Sequence, residues 1–216
     1  MARRNTRELI LSTSLELFNE YGEPNVTTNH IADEVDISPG NLYYHFHSKD
    51  DIVIELFKRF LARLQPLIEV PADMALHAED LWFQLHLSFE LKGEYRFIYL
   101  NLSELTARVR DLDHAMRALL TRERRAASQI LTGLQQAGAM QISEQQKEML
   151  TDTMLLALTY WISFANLFDS SGQRRETAQV RAIARVLLLL VPYLREPEKS
   201  QFARLSGQYL DKKKAG

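Results

Sequence analysis

The chain has 216 residues, 46% apolar and 25% charged, which is ordinary for a globular protein with a substantial buried core. It contains no cysteine, which excludes a disulfide framework and a thiolate metal site. Charged and polar residues are spread through the N-terminus, which has no long apolar region, and the longest apolar run, residues 186–191, is far too short to cross a bilayer. We therefore expect a cytoplasmic protein without a signal peptide or membrane contact.

The first predicted helix covers residues 6–21, because Ile10, Leu17 and Phe18 fall on one helical face. Gly22 is its stop signal. A second helix starts at Thr27 or Thr28 and runs to about Val35. Residues 36–38 then form a three-residue turn, the spacing of a helix-turn-helix, although the turn lacks the frequent glycine. On periodicity alone, an ordinary helical corner is an open alternative.

The third predicted helix is very short, residues 39–46. Ser38 can cap its N-terminus with Pro39 at the first helical position, and Ser48 opens a second start signal. A helix this short is unstable in water by itself, so Leu42 and Phe46 must anchor it inward. The remaining residues face outward and suit a DNA major groove: Pro39, Gly40, Asn41, Tyr43, Tyr44 and His45.

The rest of the chain is predicted to be helical, so the expected fold class is all-α. A fourth helix follows Ser48 and ends before Pro66, and Pro66 and Pro71 mark a boundary. Lys212 to Lys214 are interpreted as a solvated end. The later helices are predicted at residues 76–91, 95–109, 111–137, 143–168 and 176–194. The predicted domains are a helix-turn-helix DNA-binding domain at 1–48, a connecting helix at 49–65, a helical ligand-binding and dimerisation domain at 66–197 and a tail at 198–216.

The last two long helices carry apolar side chains on nearly every face. A helix that is apolar all round must be buried on several sides. Two interpretations fit this pattern: a monomer core, or a two-fold interface in which one face packs on a second copy of the chain.

Three segments together resemble the DNA-binding domain of TetR-type transcriptional regulators. The matching residues are Ile10, Leu17-Phe18 and Tyr21-Gly22, then Thr28, Ile31 to Val35, and Ile37-Ser38, Gly40, Leu42-Tyr43, His45-Phe46 and Ser48 to Asp50. Within that family the chain is similar to the regulators of polyhydroxyalkanoate metabolism of the PhaD type. That likeness rests on residues 22–26, the SPGNLYYHFH segment, residues 71–73, Ala78 to Trp82 and residues 95–97.

The resemblance implies an N-terminal three-helix helix-turn-helix domain and a C-terminal helical ligand-binding and dimerisation domain. It also implies a homodimer whose recognition helices enter successive major grooves of a two-fold symmetric double-stranded operator, roughly 34–36 Å apart. The DNA-contacting positions that it implies are Thr28, Asn29, Pro39, Gly40, Asn41, Tyr43, Tyr44, His45 and Lys49. The implied function is a ligand-responsive regulator, more specifically a repressor released by a small-molecule effector.

Aromatic residues of the middle helices are the candidates for an effector pocket. An aromatic lining with few polar groups is typical of a small-molecule pocket, and it is equally typical of a core. The candidate ligand-binding residues are Trp82, His86, Phe89, Tyr99, Met116, Tyr160, Trp161 and Phe164. The PhaD-type likeness implies an acyl-CoA or fatty-acid-like effector.

The formal net charge of −2 is unusual for a DNA-binding protein, so contact with phosphate must depend on a few well-placed cations. Arg3, Arg4 and Arg7 cluster at the leading end, and Lys49 follows the recognition helix. We expect weak non-specific affinity, because that contribution comes from phosphate neutralisation.

The sequence predicts neither an enzyme nor a cofactor or metal site. It has no G-x-S-x-G, no phosphate-binding glycine loop and no H-E-x-x-H. The alternative to a regulator is a helical interaction module whose helix-turn-helix binds protein. The two alternatives differ in their response to salt, because affinity for DNA falls steeply as the salt concentration rises. If the protein binds DNA, replacing Lys49 is expected to reduce the salt dependence of that affinity.

Overall fold

The computed structural model describes residues 2–69, 78–168 and 175–211, with side chains for 6–69, 80–167 and 181–207. These residues form helices and no strand, which confirms the all-α prediction. The helices are α1 Ala2–Tyr21, α2 Thr28–Glu34, α3 Pro39–His45, α4 Lys49–Ile68, α5 Ala78–Glu94, α6 Arg96–Leu100, α7 Leu102–Arg108, α8 Arg110–Gln136, α9 Glu144–Phe168, α10 Arg175–Leu190 and α11 Glu198–Asp211. None of the described helices is long and apolar enough to span a membrane.

The chain divides into two compact units. Unit 1 contains residues 1–63 and 94–117, and unit 2 contains residues 64–93 and 118–216. Unit 1 thus groups α6, α7 and the start of α8 with the helix-turn-helix. The sequence analysis predicted one domain for residues 66–197. Division into compact units does not test which residues bind ligand or form the dimer, so these domain limits stay a prediction.

Unit 1 has an aromatic core to which residues 94–117 are firmly attached. The rings of Phe18 and Phe97, both fully buried, lie 5.3 Å apart. Asn19 of α1 accepts a hydrogen bond from the backbone N–H of Phe97 at 3.1 Å and donates one to the carbonyl of Glu94 at 2.6 Å. The Glu94 carboxylate also pairs with Arg63 of α4. These contacts hold the start of α6 against α1 and α4.

Unit 2 has a mainly aliphatic core formed by α5, α8, α9, α10 and α11. One buried ion pair lies in this unit: the Lys92 ammonium contacts the Glu123 carboxylate at 2.6 Å and donates to the carbonyl of Leu158 at 3.2 Å. Both side chains are almost completely buried, so each charge depends on the other for stabilisation.

The structure corrects two of the predicted helices. The helix predicted at residues 95–109 is broken at Asn101, whose side chain donates to the carbonyl of Phe97 at 2.9 Å. Asparagine often competes with the helical backbone in this way, but periodicity does not show it. Helix α4 continues through Pro66 to Ile68, because a proline in the last turn removes only one hydrogen bond near the helix end.

Most of the predicted tail is helical and packed. Phe202 and Leu205 of α11 are buried in the core of unit 2, and the Ser206 hydroxyl donates to the carbonyl of Phe202 at 2.7 Å. Lys212 to Lys214 and Pro71 lie outside the described residues.

Candidate nucleic-acid interface

The turn between α2 and α3 is made without glycine. Asp36 adopts a positive φ of 57°, the left-handed conformation that aspartate tolerates better than most residues. The backbone N–H of Asp36 donates to the carbonyl of Asp33 at 3.1 Å, and that of Ile37 donates to the carbonyl of Ala32 at 3.0 Å. These bonds end α2 and direct the chain into α3.

The short helix α3 is held by its cap and by two buried anchors. The Ser38 hydroxyl accepts a hydrogen bond from the backbone N–H of Asn41 at 3.2 Å, and Pro39 occupies the first turn. Leu42 and Phe46 are buried below it. The opposite side is open to solvent, as the exposed fractions of Tyr43, 45%, and Tyr44, 58%, show.

The structure brings the N-terminus of α2 into contact with Tyr43 in the second half of α3. The Thr28 hydroxyl and the Tyr43 phenol oxygen are 3.2 Å apart and share a hydrogen bond. The Tyr44 and His45 rings meet edge to face at 5.4 Å. We call the polar and aromatic surface of α2 and α3 the reading face; its residues are Thr28, Asn29, Pro39, Gly40, Asn41, Tyr43, Tyr44 and the half-buried His45.

Gly40 lies on the reading face although the fold does not require a glycine there. A Cβ atom at this position would meet only the Ser38 hydroxyl oxygen, at 4.0 Å, which is ordinary van der Waals contact. Gly22 differs, because its φ of +82° at the end of α1 is one that other residues rarely adopt. The missing side chain of Gly40 therefore leaves open space on the outside of the protein.

Lys49 does not lie on the reading face. Its ammonium group donates to the carbonyls of Glu23 and Val26 at 2.9 and 3.0 Å and contacts the Glu23 carboxylate at 2.9 Å. Arg7 is also engaged, with its guanidinium 4.9 Å from the Phe46 ring and 3.3 Å from the Glu55 carboxylate. The side chains of Arg3 and Arg4 lie outside the described residues.

Glu23 is the centre of a charged group that the sequence did not reveal. Its fully buried side chain accepts from Arg108 of α7 at 2.7 Å through the same oxygen, Oε1, that contacts Lys49. Arg108 also contacts Asp50 at 3.1 Å. Burial acts to lower the pKa of Arg108, but the hydrogen bond to Glu23 and the neighbouring carboxylates outweigh it and raise that pKa. We call Glu23, Lys49, Asp50 and Arg108 the Glu23 cluster.

The eight candidate pocket residues are divided between the two units. Tyr99 and Met116 are buried in unit 1 and Phe89 is buried in unit 2. Trp82 and His86 stack at 5.1 Å, and Trp161 lies against the Arg185 guanidinium at 4.5 Å. Their assignment to an effector pocket stays a prediction. Among the described residues, no group of His, Asp and Glu is placed to hold a metal ion.

The other two candidates, Tyr160 and Phe164, lie on an exposed apolar surface of α9. Leu150, Met154 and Leu158 form the buried face of this helix. On the exposed surface, Met149 and Leu167 are 65% and 81% exposed. We call this surface the α9 stripe; it consists of Met149, Leu156, Tyr160, Phe164 and Leu167, at helical spacing.

A capped recognition helix after a tight turn defines a helix-turn-helix protein, here with further helices following it. Residues 10–56 match the family model described as "Bacterial regulatory proteins, tetR family", and residues 59–202 match the one described as "Bacterial transcriptional repressor". The chain belongs to the TetR family of bacterial transcriptional regulators. Members of this family bind DNA operators, form dimers and bind small-molecule effectors.

Two relatives and one further structure of the same fold illustrate the match. A TetR-family transcriptional regulator from Marinobacter aquaeolei VT8 is 34% identical, with a TM-score of 0.86 over 94% of this chain and 98% of that one. The negative regulator IcaR of the icaADBC biofilm operon of Staphylococcus aureus strain Newman is 30% identical over 99 residues, 45% of this chain and 53% of IcaR. SmeT in complex with triclosan, 18% identical, shares the fold with a TM-score of 0.62 over 89% of this chain and 93% of that one.

The chain spans only about half the length of the curated relatives it matches, 53% for IcaR and 56% for TtgW of Pseudomonas putida. These relatives therefore support the family and leave the function of the whole protein to be proposed. The narrower resemblance to PhaD-type regulators is not confirmed by them and stays a prediction.

Proposed function

We propose that the protein is a homodimeric, sequence-specific repressor that a small-molecule effector releases from a two-fold symmetric operator. The observation that carries this proposal is the reading face. An amide, two phenols and a glycine are displayed to solvent on a helix that its cap and two buried anchors hold in place. A repressor of a bacterial operator acts in the cytoplasm, where we place the protein.

Base recognition in this proposal depends on neutral groups. The Asn41 amide can pair with the N6 and N7 edge of adenine, and the Tyr43 and Tyr44 side chains can donate to phosphate through the hydroxyl or place the ring against a thymine methyl. The hydrogen bond between Thr28 and Tyr43 fixes the direction of one phenol before DNA arrives. Fixing that direction in advance reduces the entropy lost on binding.

Dimerisation is proposed through α9. The α9 stripe runs along several turns of one helix, and Leu188 of α10 is exposed as well. An exposed row of large apolar side chains of this kind marks an interaction site, and contact with its own copy across a two-fold axis would cover it. The dimer would present two reading faces to one side of the duplex.

The effector is proposed to bind among the aromatic middle helices. Its binding would favour a distance between the two recognition helices that does not match the spacing of the operator's major grooves. Coupling of this kind requires the ligand to prefer one conformation over the other. We further propose an acyl-CoA or fatty-acid-like effector, on the strength of the PhaD-type likeness alone. A ligand that binds tightly yet leaves operator affinity unchanged would reject this mechanism.

The test is selection of bound fragments from the organism's own genome, followed by binding measurements on the recovered operator. Asn41→Ala should weaken binding to the recovered fragment by about 1–3 kcal/mol and leave the dimer intact. Ser12→Ala, an exposed substitution on α1, serves as the control. Failure to recover any fragment, or binding that does not fall with salt, would favour the alternative of a protein-binding module.

A further inference from the structure

We infer that Arg108 is a positioning residue for operator binding, which acts on the recognition helix through the buried carboxylate of Glu23 and the ammonium group of Lys49. The inference rests on the proposed function and adds to it a route from residues 94–117 to the DNA-binding surface. Arg108 itself need not touch DNA.

The Glu23 cluster joins the two chain segments that flank the reading face. The Lys49 ammonium holds the carbonyls of Glu23 and Val26, directly before Thr27, which caps α2. Lys49 is also the first residue of α4, three positions after Phe46, which ends α3. The start of α2 and the end of α3 are therefore connected through one side chain.

Arg108 completes this connection from a distant part of the sequence. It donates to Glu23, 85 positions away, at 2.7 Å and contacts Asp50, the residue after Lys49, at 3.1 Å. Since Arg108 is the last residue of α7, any movement of that helix changes the distance between its guanidinium group and the Glu23 carboxylate. The cluster thus transmits the position of α7 to both segments.

The chemistry of Glu23 favours a functional role. Its Oε1 atom receives both cations, while Oε2 is buried without a hydrogen-bond partner. A buried ion network that is only partly satisfied is seldom the most stable choice, since an apolar side chain of similar size often does as well. Arg108 is one-third exposed, so its link can break without opening the core.

Arg108→Ala should weaken binding to the selected genomic fragment about tenfold, by fluorescence anisotropy, in a protein that remains a folded dimer. The slope of log affinity against log salt should stay unchanged, because a lost phosphate contact would lower its magnitude by about 0.9. In a Glu23→Gln background the same substitution should have little further effect on affinity, since the ion pair through which Arg108 acts is already lost. Arg110→Ala, an exposed arginine outside the cluster, should change nothing.

Two results would overturn the inference: affinity within twofold of the unaltered protein, or a salt slope that falls by about 0.9. If Arg108→Ala does not fold, Arg108→Lys provides the comparison. Lysine keeps a cation near Glu23 but lacks the planar guanidinium group that contacts both Glu23 and Asp50. An intermediate loss of affinity at constant slope then supports the inference. If the unaltered protein binds no fragment, the proposed function fails and the inference fails with it.

Discussion

Gly40 gives the sharpest test of the reading face, because stability and DNA binding should respond to its replacement in opposite directions. A Cβ atom at this position meets nothing closer than the Ser38 hydroxyl oxygen at 4.0 Å. Alanine is the better helix former, so Gly40→Ala should leave the free energy of unfolding unchanged or raise it by up to about 1 kcal/mol.

The same methyl group points to where we propose the DNA backbone or a base edge lies. Inserting a methyl group into a close-packed contact costs about 1–3 kcal/mol. That range corresponds to operator binding that is roughly 5- to 150-fold weaker. Unfolding in urea, followed by circular dichroism, measures the first quantity, and fluorescence anisotropy with the selected operator at fixed salt measures the second.

Gly133→Ala is the matched control, since this glycine lies within α8 and its added Cβ would meet nothing within 4 Å. It should stabilise the protein and leave operator affinity unchanged. If Gly40→Ala binds the operator as tightly as the unaltered protein does, the backbone of α3 does not approach DNA closely, and our assignment of the reading face is wrong.

Three further predictions concern the dimer, the turn and the core. Leu156→Glu, on the α9 stripe, should raise the dimer dissociation constant at least about 100-fold, because an unpaired charge in an apolar interface costs several kcal/mol. Light scattering measures this, with the exposed Asn166→Glu on the same helix as control, and an intact Leu156→Glu dimer would exclude α9 as the interface. Asp36→Gly should raise the free energy of unfolding by about 0.5–1 kcal/mol, because glycine adopts the positive φ of the turn without the steric strain of a side chain. A lower urea midpoint would contradict this. Lys92→Met should lower that free energy by about 3–5 kcal/mol by leaving Glu123 charged and buried, and adding Glu123→Leu should restore most of it. Equal stability of the single and double variants would show that the ion pair has no such role.

The parts of the fold that sequence analysis predicted are those fixed by local chemistry. Ser38 and Thr27 cap their helices with the hydrogen bonds that their sequence positions suggest, and Leu42 is buried as its spacing predicts. The glycine missing from the turn is explained by Asp36, which adopts the left-handed conformation itself. Caps, anchors and turns involve residues a few positions apart, so the sequence carries them directly.

The features that escaped sequence analysis depend on residues far apart in the chain. Nothing near Glu23 indicates that its carboxylate is buried or that Arg108 reaches it. The sequence shows Lys49 beside the recognition helix, but not that its ammonium group turns toward the carbonyl of Val26. One signal was overlooked: Lys92 follows Leu85 and Phe89 at helical spacing on a buried face, a position where a lysine needs a partner.

Lys49 and Arg7 are each paired with a carboxylate of the protein itself. This pairing affects how many copies of the regulator a cell would need. A regulator competes for its operator against about a million or more unrelated sites, to which proteins are attracted almost wholly through phosphate charge. A neutral recognition surface gains little from those sites, so a small number of copies would not be sequestered along the chromosome. On the proposed function, the same neutrality would leave little background attraction to compensate for a mismatched base pair, so the operator would have to be matched closely to be occupied.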